Sequence, residues 1–279
     1  MQTALITGIS SGIGFHLAVK LAQLNIQVFG LFRSQNRLQQ SFESLEIKPP
    51  KLLTPIQADI TNDDQIEVAL KDVGAPDILI NNAGYGLYGP FEELTDQQFK
   101  DQFETNFFSP LKLIRRYLPA MRQRKSGRIL NVASILGQMV IPTGSGYCSS
   151  KWAMEAASEA IRYEVAPFGI EVCIIEPGLI RTDFKSNMKL TNQIDNTESD
   201  YRFLNKLIQA EITKYGRFAT EPSTAADAIM RLLKYRKLPA RYRIGADATL
   251  YSALKKLVPE SLIDLIQRGY LENLYSKDS

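Results

Sequence analysis

The chain has 279 residues, of which 44% are hydrophobic and 23% are charged. This composition is typical of a soluble globular protein and excludes a disordered or fibrous chain. Lysine and arginine total 33 against 30 acidic residues, so the net charge is only +3. So small an excess of positive charge does not indicate nucleic-acid binding.

Histidine and cysteine are scarce, which narrows the possible chemistry. The lone histidine, His16, falls in a predicted helix, which argues against multi-histidine metal sites and most Ser-His catalysis. The two cysteines cannot form a disulfide framework, and no metal is expected. The sequence has no signal-peptide pattern and no apolar run of ~18 residues, so it predicts a cytoplasmic protein without an integral membrane segment.

Short apolar segments typical of β-strands alternate with helical patterns. The predicted strands are Thr3–Thr7, Val28–Phe32, Leu52–Gln57, Ile78–Asn81, Ile129–Ala133, Val172–Glu176 and Tyr242–Ile244. This alternation implies a parallel sheet with helices on both faces, and right-handed crossovers favour the doubly wound strand order 3-2-1-4-5-6-7. The sequence therefore predicts one α/β domain over residues 1–279, a Rossmann fold with seven strands and a C-terminal helical extension.

Two segments depart from the alternation. Residues 183–220 are predicted to form a substrate-side loop or lid, because Lys185–Tyr201 is polar and rich in Asn, Asp and Thr. Residues 246–279 are the predicted helical extension, with leucines at helical spacing and a break at Pro259. Three roles stay open for this extension: it packs on the body, covers the substrate or contacts a membrane surface.

The first predicted strand leads into a glycine-rich turn, Thr7-Gly-Ile-Ser-Ser-Gly-Ile-Gly14, that opens a helix. Glycine is needed where the turn is tight or where a side chain would block a pyrophosphate, and the helix N-terminus supplies N–H groups for the phosphates. The strand–turn–helix context favours a dinucleotide site over a glycine-rich turn without a ligand. The expected contacts are Gly8, Ser10, Ser11, Gly12, Ile13 and Gly14.

Arg33 follows the second predicted strand, where an NAD-binding chain usually carries Asp or Glu. A guanidinium can pair with a 2′-phosphate, so the sequence favours NADP(H) and leaves NAD(H) open. The alternative for Arg33 is a solvated loop residue. Asp59, after the third strand, is suited to accept from an adenine amino group or to serve as an ordinary turn residue.

Tyr147-Cys-Ser-Ser-Lys151 opens another predicted helix, and residues four apart share a helix face. The unperturbed pKa of tyrosine is about 10. A neighbouring lysine cation favours the phenolate and lowers that pKa, so Tyr147 can exchange a proton with a substrate oxygen. Ser134, directly after the fifth strand, is placed to hold the same oxygen. The bare pattern is common by chance, and a structural role is its alternative.

Six motifs occur in order: Thr7–Gly14, Asn81-Asn-Ala-Gly84, Asn106, Ser134, Tyr147 with Lys151, and Pro177-Gly178. Together they resemble the short-chain dehydrogenase/reductase family, in its short single-domain branch, from Met1 to about Gly245. The resemblance implies hydride transfer between a nicotinamide cofactor and a carbon that bears an oxygen. Tyr88-Gly-Pro90 and the tail are similar to the hydroxysteroid and retinol dehydrogenase-like branches.

The resemblance also implies roles for single residues. Tyr147 would be the general acid/base, Lys151 would bind the nicotinamide ribose and lower the Tyr147 pKa, and Ser134 would orient the carbonyl. Asn106 would support a water-linked proton relay. The further expected cofactor contacts are Ile60, Asn82, Ala83, Gly84, Pro177, Gly178, Ile180 and Thr182. Ser11 stands where many NADPH-preferring relatives carry Lys or Arg, so the NADP prediction depends on Arg33.

The residues beside the expected reacting centre are mostly apolar. The predicted substrate contacts are Ser134, Ile135, Leu136, Met139, Tyr147 and Leu179. Such a pocket suits a small lipophilic ketone, aldehyde or alcohol, although each apolar residue could equally pack the fold. Small residues along the helix after Lys151 predict a homodimer or homotetramer. The alternative function is a catalytically silent NADP-binding sensor, against which the intact catalytic set argues.

Overall fold

The computed structural model describes residues 1–181, 187–214, 219–255 and 257–278. Thr182 and part of the predicted lid therefore lie outside the described residues. The strands are β1 Thr3–Thr7, β2 Gln27–Phe32, β3 Leu53–Gln57, β4 Ile78–Asn81, β5 Leu87–Tyr88, β6 Gly127–Val132, β7 Ile170–Pro177, β8 Lys189–Leu190 and β9 Arg241–Ile244. The α-helices are α1 Gly12–Gln23, α2 Gln35–Ser44, α3 Asp63–Ala69, α4 Asp96–Phe103, α5 Ser109–Gln123, α6 Ser145–Val165, α7 Arg202–Lys214, α8 Pro222–Leu233, α9 Ala246–Leu254 and α10 Glu260–Asp278.

Seven of these strands form one parallel sheet in the order β3-β2-β1-β4-β6-β7-β9. This is the predicted doubly wound order, and the observed strands coincide with the predicted ones to within two residues at each end. The order reverses at β1, whose neighbours are β2 and β4. Ligands of such sheets bind outside the carboxyl ends of the strands at this reversal.

Both faces of the sheet are covered, because side chains of a strand alternate between its faces. Ala4 and Ile6 of β1 belong to a core that also contains apolar residues of α1 and α8. Leu5 belongs to the opposite core, formed with residues of α3, α5 and α6. Each fully buried leucine or isoleucine contributes about 1.5–3 kcal/mol, so these two layers hold the strand ends in place.

Side chains close the N-termini of several helices but not that of α1. The Ser34 hydroxyl accepts from the N–H of Arg37 at the start of α2, and the Asn62 side chain accepts from the N–H of Gln65 in α3. Thr95 forms a capping box with Gln98 at the start of α4. Ser11, the residue before α1, makes no such side-chain bond. The first N–H groups of α1 thus have no side-chain cap.

A second, two-stranded parallel sheet pairs β5 with β8 in the register Leu87↔Lys189 and Tyr88↔Leu190. The sequence missed both strands and predicted only a polar loop around β8. Each strand has only two residues, too few to show an alternating pattern. The Thr191 hydroxyl also donates to the carbonyl oxygen of Glu93 at 3.2 Å. Backbone pairing therefore fastens the chain after residue 188 to the segment after Gly84.

The C-terminal extension is helical, as predicted, and divides near Pro259 into α9 and α10. Lys255 donates from Nζ to the carbonyl oxygen of Gln138 at 2.5 Å, and Asp278 pairs with Arg202 of α7 at 3.1 Å. The first contact connects the end of α9 to the body and the second connects the end of α10 to α7, while Leu265 and Ile266 stay exposed. Within the described residues, no helix is both long and apolar enough to cross a membrane.

Candidate active site

A cavity of about 1190 Å³ lies at the carboxyl ends of the central strands. It brings together most of the residues predicted for the site. The predicted residues in its wall are Gly8, Ser10, Ser11, Gly12, Ile13, Arg33, Asp59, Ile60, Asn82, Ala83, Gly84, Ser134, Ile135, Leu136, Met139, Tyr147, Lys151, Pro177, Gly178, Leu179 and Ile180. Gly14 and Asn106 lie behind this wall.

The glycine-rich turn forms one end of the cavity. Gly8 and Gly12 have φ angles of 74° and 61°, in the left-handed region that favours glycine. A Cβ on Gly8 would lie 2.8 Å from the Cα of Ala83, so this turn has no room for a side chain. Together with the α1 N-terminus, the bare backbone forms a cradle that fits the pyrophosphate of a dinucleotide.

Thr7 and Asn82 hold this cradle from behind. The Thr7 hydroxyl accepts from the N–H groups of Asn82 at 3.0 Å and Ala83 at 2.9 Å. The Asn82 amide donates to the carbonyl oxygens of Thr7 at 3.0 Å and Gly8 at 3.1 Å. A Cβ on Gly14 would collide with that amide, so Gly14 lets α1 approach the loop. The sequence missed Thr7 as a site residue, although a polar residue ending an apolar strand was a visible signal.

We expect Thr7→Val to lower the free energy of unfolding by about 1–3 kcal/mol, because two partly buried N–H groups lose their acceptor. The affinity for a dinucleotide should fall with it, since the same bonds shape the cradle. Denaturant unfolding and a cofactor titration measure the two effects. Thr7→Ser is the matched control, because it keeps the hydroxyl. Equal stability of the valine and serine variants would contradict this role of Thr7.

Arg33 and Asp59 face each other at the opposite end of the cradle, with 3.7 Å between Nη1 and Oδ2. Asp59 also accepts from the N–H and the hydroxyl of Thr61, at 3.0 and 2.8 Å. Burial raises the pKa of Asp59, but the Thr61 bonds and the Arg33 charge outweigh it and lower that pKa overall. Asp59 is therefore a fixed carboxylate acceptor near neutral pH.

A second arginine, Arg37, lies in the same wall, and the sequence did not predict it as a cofactor contact. It belongs to the first turn of α2, one turn beyond Arg33, and its guanidinium donates to the Asn187 side chain. The spacing of four residues between the two arginines was a visible signal. Two guanidinium groups thus lie at this end of the cavity, where the end of β2 has no carboxylate.

Tyr147 and Lys151 lie on one face of the first turns of α6 and are both buried. Lys151 donates from Nζ to the carbonyl oxygen of Val132 at 2.8 Å, and this ammonium is 5.8 Å from the centre of the Tyr147 ring. Burial lowers the pKa of Lys151 to about 8, against the opposing charge of Glu155. A phenol and a cation are therefore buried neighbours in the wall of the cavity.

Ser134 is the second residue after the end of β6 and lies in the same wall as Tyr147. Its hydroxyl accepts from the N–H of Leu136 at 3.1 Å. This bond caps the short 3₁₀ helix Ile135–Gly137. The ring of Tyr88 packs 5.7 Å from that of Tyr147. The turn and the aromatic pair fix two hydroxyl groups against one region of the cavity.

Asn106 lies in a π-helical turn, Glu104–Phe108, between α4 and α5. Such turns are rare and recur at functional sites. The Asn106 amide accepts from the N–H of Tyr85 at 3.1 Å and donates to the Tyr85 carbonyl at 3.0 Å and to the Ser150 hydroxyl at 3.1 Å. All of these contacts fasten the segment after Gly84 to α6. In the structure, Asn106 thus connects two walls of the cavity from behind.

The C-terminal extension also contributes to the cavity, which the sequence did not predict for any particular residue. Asp247 and Tyr251 of α9 lie in the wall, next to the apolar residues expected at the substrate end. The Asp247 carboxylate accepts from the N–H of Leu179 at 2.7 Å. It thereby joins the extension to the segment after Pro177.

Comparison with known proteins agrees with this geometry. A family model described as short chain dehydrogenase matches residues 2–193. The 3-ketodihydrosphingosine reductase of Bacteroides thetaiotaomicron is 32% identical over 96% of this chain and 97% of its own. Retinol dehydrogenase 8 of Bos taurus is 31% identical over 92% of this chain and 86% of its own.

Solved structures show the same fold. A short-chain dehydrogenase from Streptomyces avermitilis superposes with a TM-score of 0.80 at 32% identity, over 96% of this chain and 98% of its own. A serine dehydrogenase solved with NADP⁺ superposes with a TM-score of 0.71 at 25% identity, over 87% of this chain and 94% of its own.

The chain belongs to the short-chain dehydrogenase family. It is an oxidoreductase that interconverts CH–OH and C=O groups with a nicotinamide cofactor. The family prediction from the sequence is therefore confirmed. The glycine cradle, the buried Tyr147 and the adjacent Lys151 fit such a cofactor, whose pyrophosphate the cradle would hold.

Proposed function

We propose that this protein is an NADPH-dependent reductase of lipophilic ketones or aldehydes, reversible as an alcohol dehydrogenase. One observation carries the proposal: a single cavity has two guanidinium groups at one end and the Ser134, Tyr147 and Lys151 set beside apolar side chains at the other. The first end suits a 2′-phosphate. The second end suits an apolar carbonyl compound.

The preference for NADPH rests on Arg33 and Arg37. Arg33 stands at the end of β2, and Asp59, its carboxylate neighbour, is held in place by Thr61 rather than by the arginine alone. A guanidinium presents several N–H donors in a rigid fork, so Arg33 can contact a phosphate while it stays beside Asp59. NAD(H) remains the alternative cofactor.

In the proposed mechanism, a bound reduced nicotinamide supplies the hydride to the carbonyl carbon. The Ser134 hydroxyl holds the carbonyl oxygen by a hydrogen bond. Tyr147 donates its proton to that oxygen as negative charge develops there, and the Lys151 ammonium stabilises the resulting phenolate. Asn106 keeps α6 and the segment after Gly84 together, and we assign the proton relay through water to it as well.

The substrate class follows from the lining of the cavity. The apolar side chains of Ile135, Leu136, Met139 and Leu179 line the same cavity as Ser134 and Tyr147, and Tyr251 of the extension lines it as well. The two relatives are named for 3-ketodihydrosphingosine and for retinol, both long hydrophobic molecules. An apolar carbonyl compound gains free energy from burial against such a wall.

A carbonyl panel tests the proposal. Steroid ketones, retinal, aryl aldehydes and long-chain aldehydes and ketones are each incubated with NADPH or NADH, and cofactor oxidation is followed by absorbance. We expect turnover of at least one lipophilic member with NADPH, and none with short polar carbonyls. NADPH binding without turnover of any member would favour the silent sensor instead.

We further propose that the chain forms a homodimer or homotetramer. Ala156 and Ala160 of α6 are exposed, and small side chains of this kind let helices of two subunits approach closely. Light scattering at micromolar concentration should give a multiple of the chain mass of 31.4 kDa. A monomer under those conditions would contradict it. The cytoplasmic location stays a prediction from the sequence.

A further inference from the structure

Behind the catalytic residues, two buried carboxyl groups meet two arginines. Glu155 lies on α6 one turn beyond Lys151, and its side chain is 6% exposed. Glu176, on β7 directly before Pro177, is 0% exposed. Arg241 and Arg243 reach them from β9. None of these four side chains has a part in the mechanism proposed above.

The contacts of this cluster are unequal. Arg241 donates to Oε2 of Glu155 at 2.9 Å and to Oε2 of the exposed Glu159 at 2.7 Å. Gln138 donates from its amide to Oε1 of Glu176. The Arg243 Nε lies 3.1 Å from Oε2 of Glu176 but without the geometry of a hydrogen bond. The arginines therefore satisfy the two carboxyl groups only in part.

One oxygen of each carboxyl group is left without a donor. Oε1 of Glu155 and Oε2 of Glu176 are both fully buried and have no hydrogen-bond partner among the described residues. The two groups lie against the same Arg241 Nε, which is 2.9 Å from Oε2 of Glu155 and 3.4 Å from Oε1 of Glu176. Two charged carboxylates at such a distance repel, whereas a single proton makes one of them a donor to the other. Buried polar groups are almost always paired, so the geometry calls for that proton.

We propose that Glu155 and Glu176 share one proton and act as positioning residues, which fix the Ser134 loop against α6 and the end of β7. Each partner belongs to a segment that carries a site residue. Gln138 ends the turn that Ser134 begins, Glu155 is one turn from Lys151, and Glu176 precedes the Pro177-Gly178 segment of the cavity wall. The positioning role rests on the proposed function, whereas the shared proton does not.

The charged groups around the pair set its response to pH. They are Lys151 and Glu159 from α6, and Arg241 and Arg243 from β9, while the Ser134 loop presents the neutral Gln138. Burial and the neighbouring Glu176 raise the pKa of Glu155 to about 7, and burial also raises the pKa of Glu176. Because the folded pKa lies above the unfolded one, the folded protein binds the proton more tightly. The stability that this pair contributes is therefore fully present below about pH 4 and is lost as pH rises through about 7.

Unfolding measurements test the shared proton without any substrate. In Glu155→Gln, the amide supplies a permanent donor, so the loss of this stability contribution with rising pH should disappear. We expect the Tm of the wild type to fall between pH 5.5 and 8.0 by at least ~4 °C more than that of Glu155→Gln. Glu159→Gln is the matched control, since Glu159 binds the same arginine but is exposed. The Tm of Glu159→Gln should fall with pH by as much as that of the wild type. Equal pH trends in Glu155→Gln and the wild type would overturn the proposal.

Steady-state kinetics test the positioning role. Glu155→Ala should lower kcat by ~10-fold or more, with the KM for NADPH within about twofold, because Glu176, which binds Gln138 of the Ser134 loop, loses its proton-sharing partner while the cradle is untouched. Between pH 6 and 8, kcat should fall more steeply for the wild type than for Glu155→Gln. Unchanged kcat in Glu155→Ala, or parallel pH profiles, would overturn the positioning role. If no carbonyl compound is turned over, the proposed function fails, and the unfolding experiment still decides the shared proton.

Discussion

Replacement of Tyr147 by phenylalanine should lower kcat by about 10²–10⁴-fold, the range that one positioned acid/base contributes. The phenol is the buried proton donor next to the Lys151 ammonium, and phenylalanine keeps the ring but not the hydroxyl. Packing against Tyr88 survives the change, so the fold should persist. Cofactor oxidation with a substrate from the panel measures kcat, and circular dichroism checks the fold.

The same variant should still bind NADPH, because the cradle and the arginine end of the cavity are unchanged. A fluorescence titration should give a Kd within a few-fold of the wild type. Tyr163→Phe is the matched control: it removes a hydroxyl from the same helix at an exposed position that contacts Glu159. Wild-type turnover by Tyr147→Phe would refute the mechanism, whereas loss of both binding and turnover would show a structural role instead.

The parts of the fold that could be predicted are those with a local signature. The strands of the main sheet are short apolar runs, and the crossover rule favoured their order without knowledge of any contact. The cradle was predictable because Gly8 and Gly12 must adopt conformations that other residues resist. In these places each residue's own chemistry restricts the structure around it.

The parts that escaped prediction depend on contacts between distant segments. The β5–β8 pairing is made by the backbone, so the identities of the paired residues Leu87 and Lys189 do not indicate it. Asp247 reaches Leu179 across 68 positions of the chain, and its sequence neighbours are ordinary helix residues. Asn106 was found through the family resemblance, but only the structure shows that its amide joins Tyr85 to Ser150.

The Glu155–Glu176 pair is another feature that the sequence could not predict, because it depends on contacts between distant segments. In the sequence, Glu155 is one of several acidic residues on a helix, and nothing near it marks burial. Its significance arises because β7 and β9 place Glu176 and Arg241 beside it. Burial of a charge is a property of the packed structure, so no local pattern could reveal it.

Replacement of Arg33 by alanine should lower kcat/KM with NADPH by about 10- to 100-fold and leave kcat/KM with NADH nearly unchanged. The range corresponds to the loss of a hydrogen bond to a charged group, here the 2′-phosphate that NADH lacks. The Arg33 side chain is 79% exposed, so solvent screening favours the lower part of that range. Arg115→Ala, which removes an equal charge from an exposed position on α5, should leave both cofactors unaffected.

The two arginines of this end are not equivalent, which sharpens the test. The Arg37 guanidinium already donates to Asn187, whereas Arg33 lies 3.7 Å from Asp59 at the open edge of the cavity. Arg33→Ala should therefore have the larger effect, and Arg37→Ala should add to it in the double variant. Higher salt should weaken NADPH binding more than NADH binding, since the additional 2′-phosphate of NADPH makes a charge interaction that salt screens. Equal affinity of the wild type for both cofactors, unchanged by Arg33→Ala, would remove the 2′-phosphate role and with it the preference for NADPH.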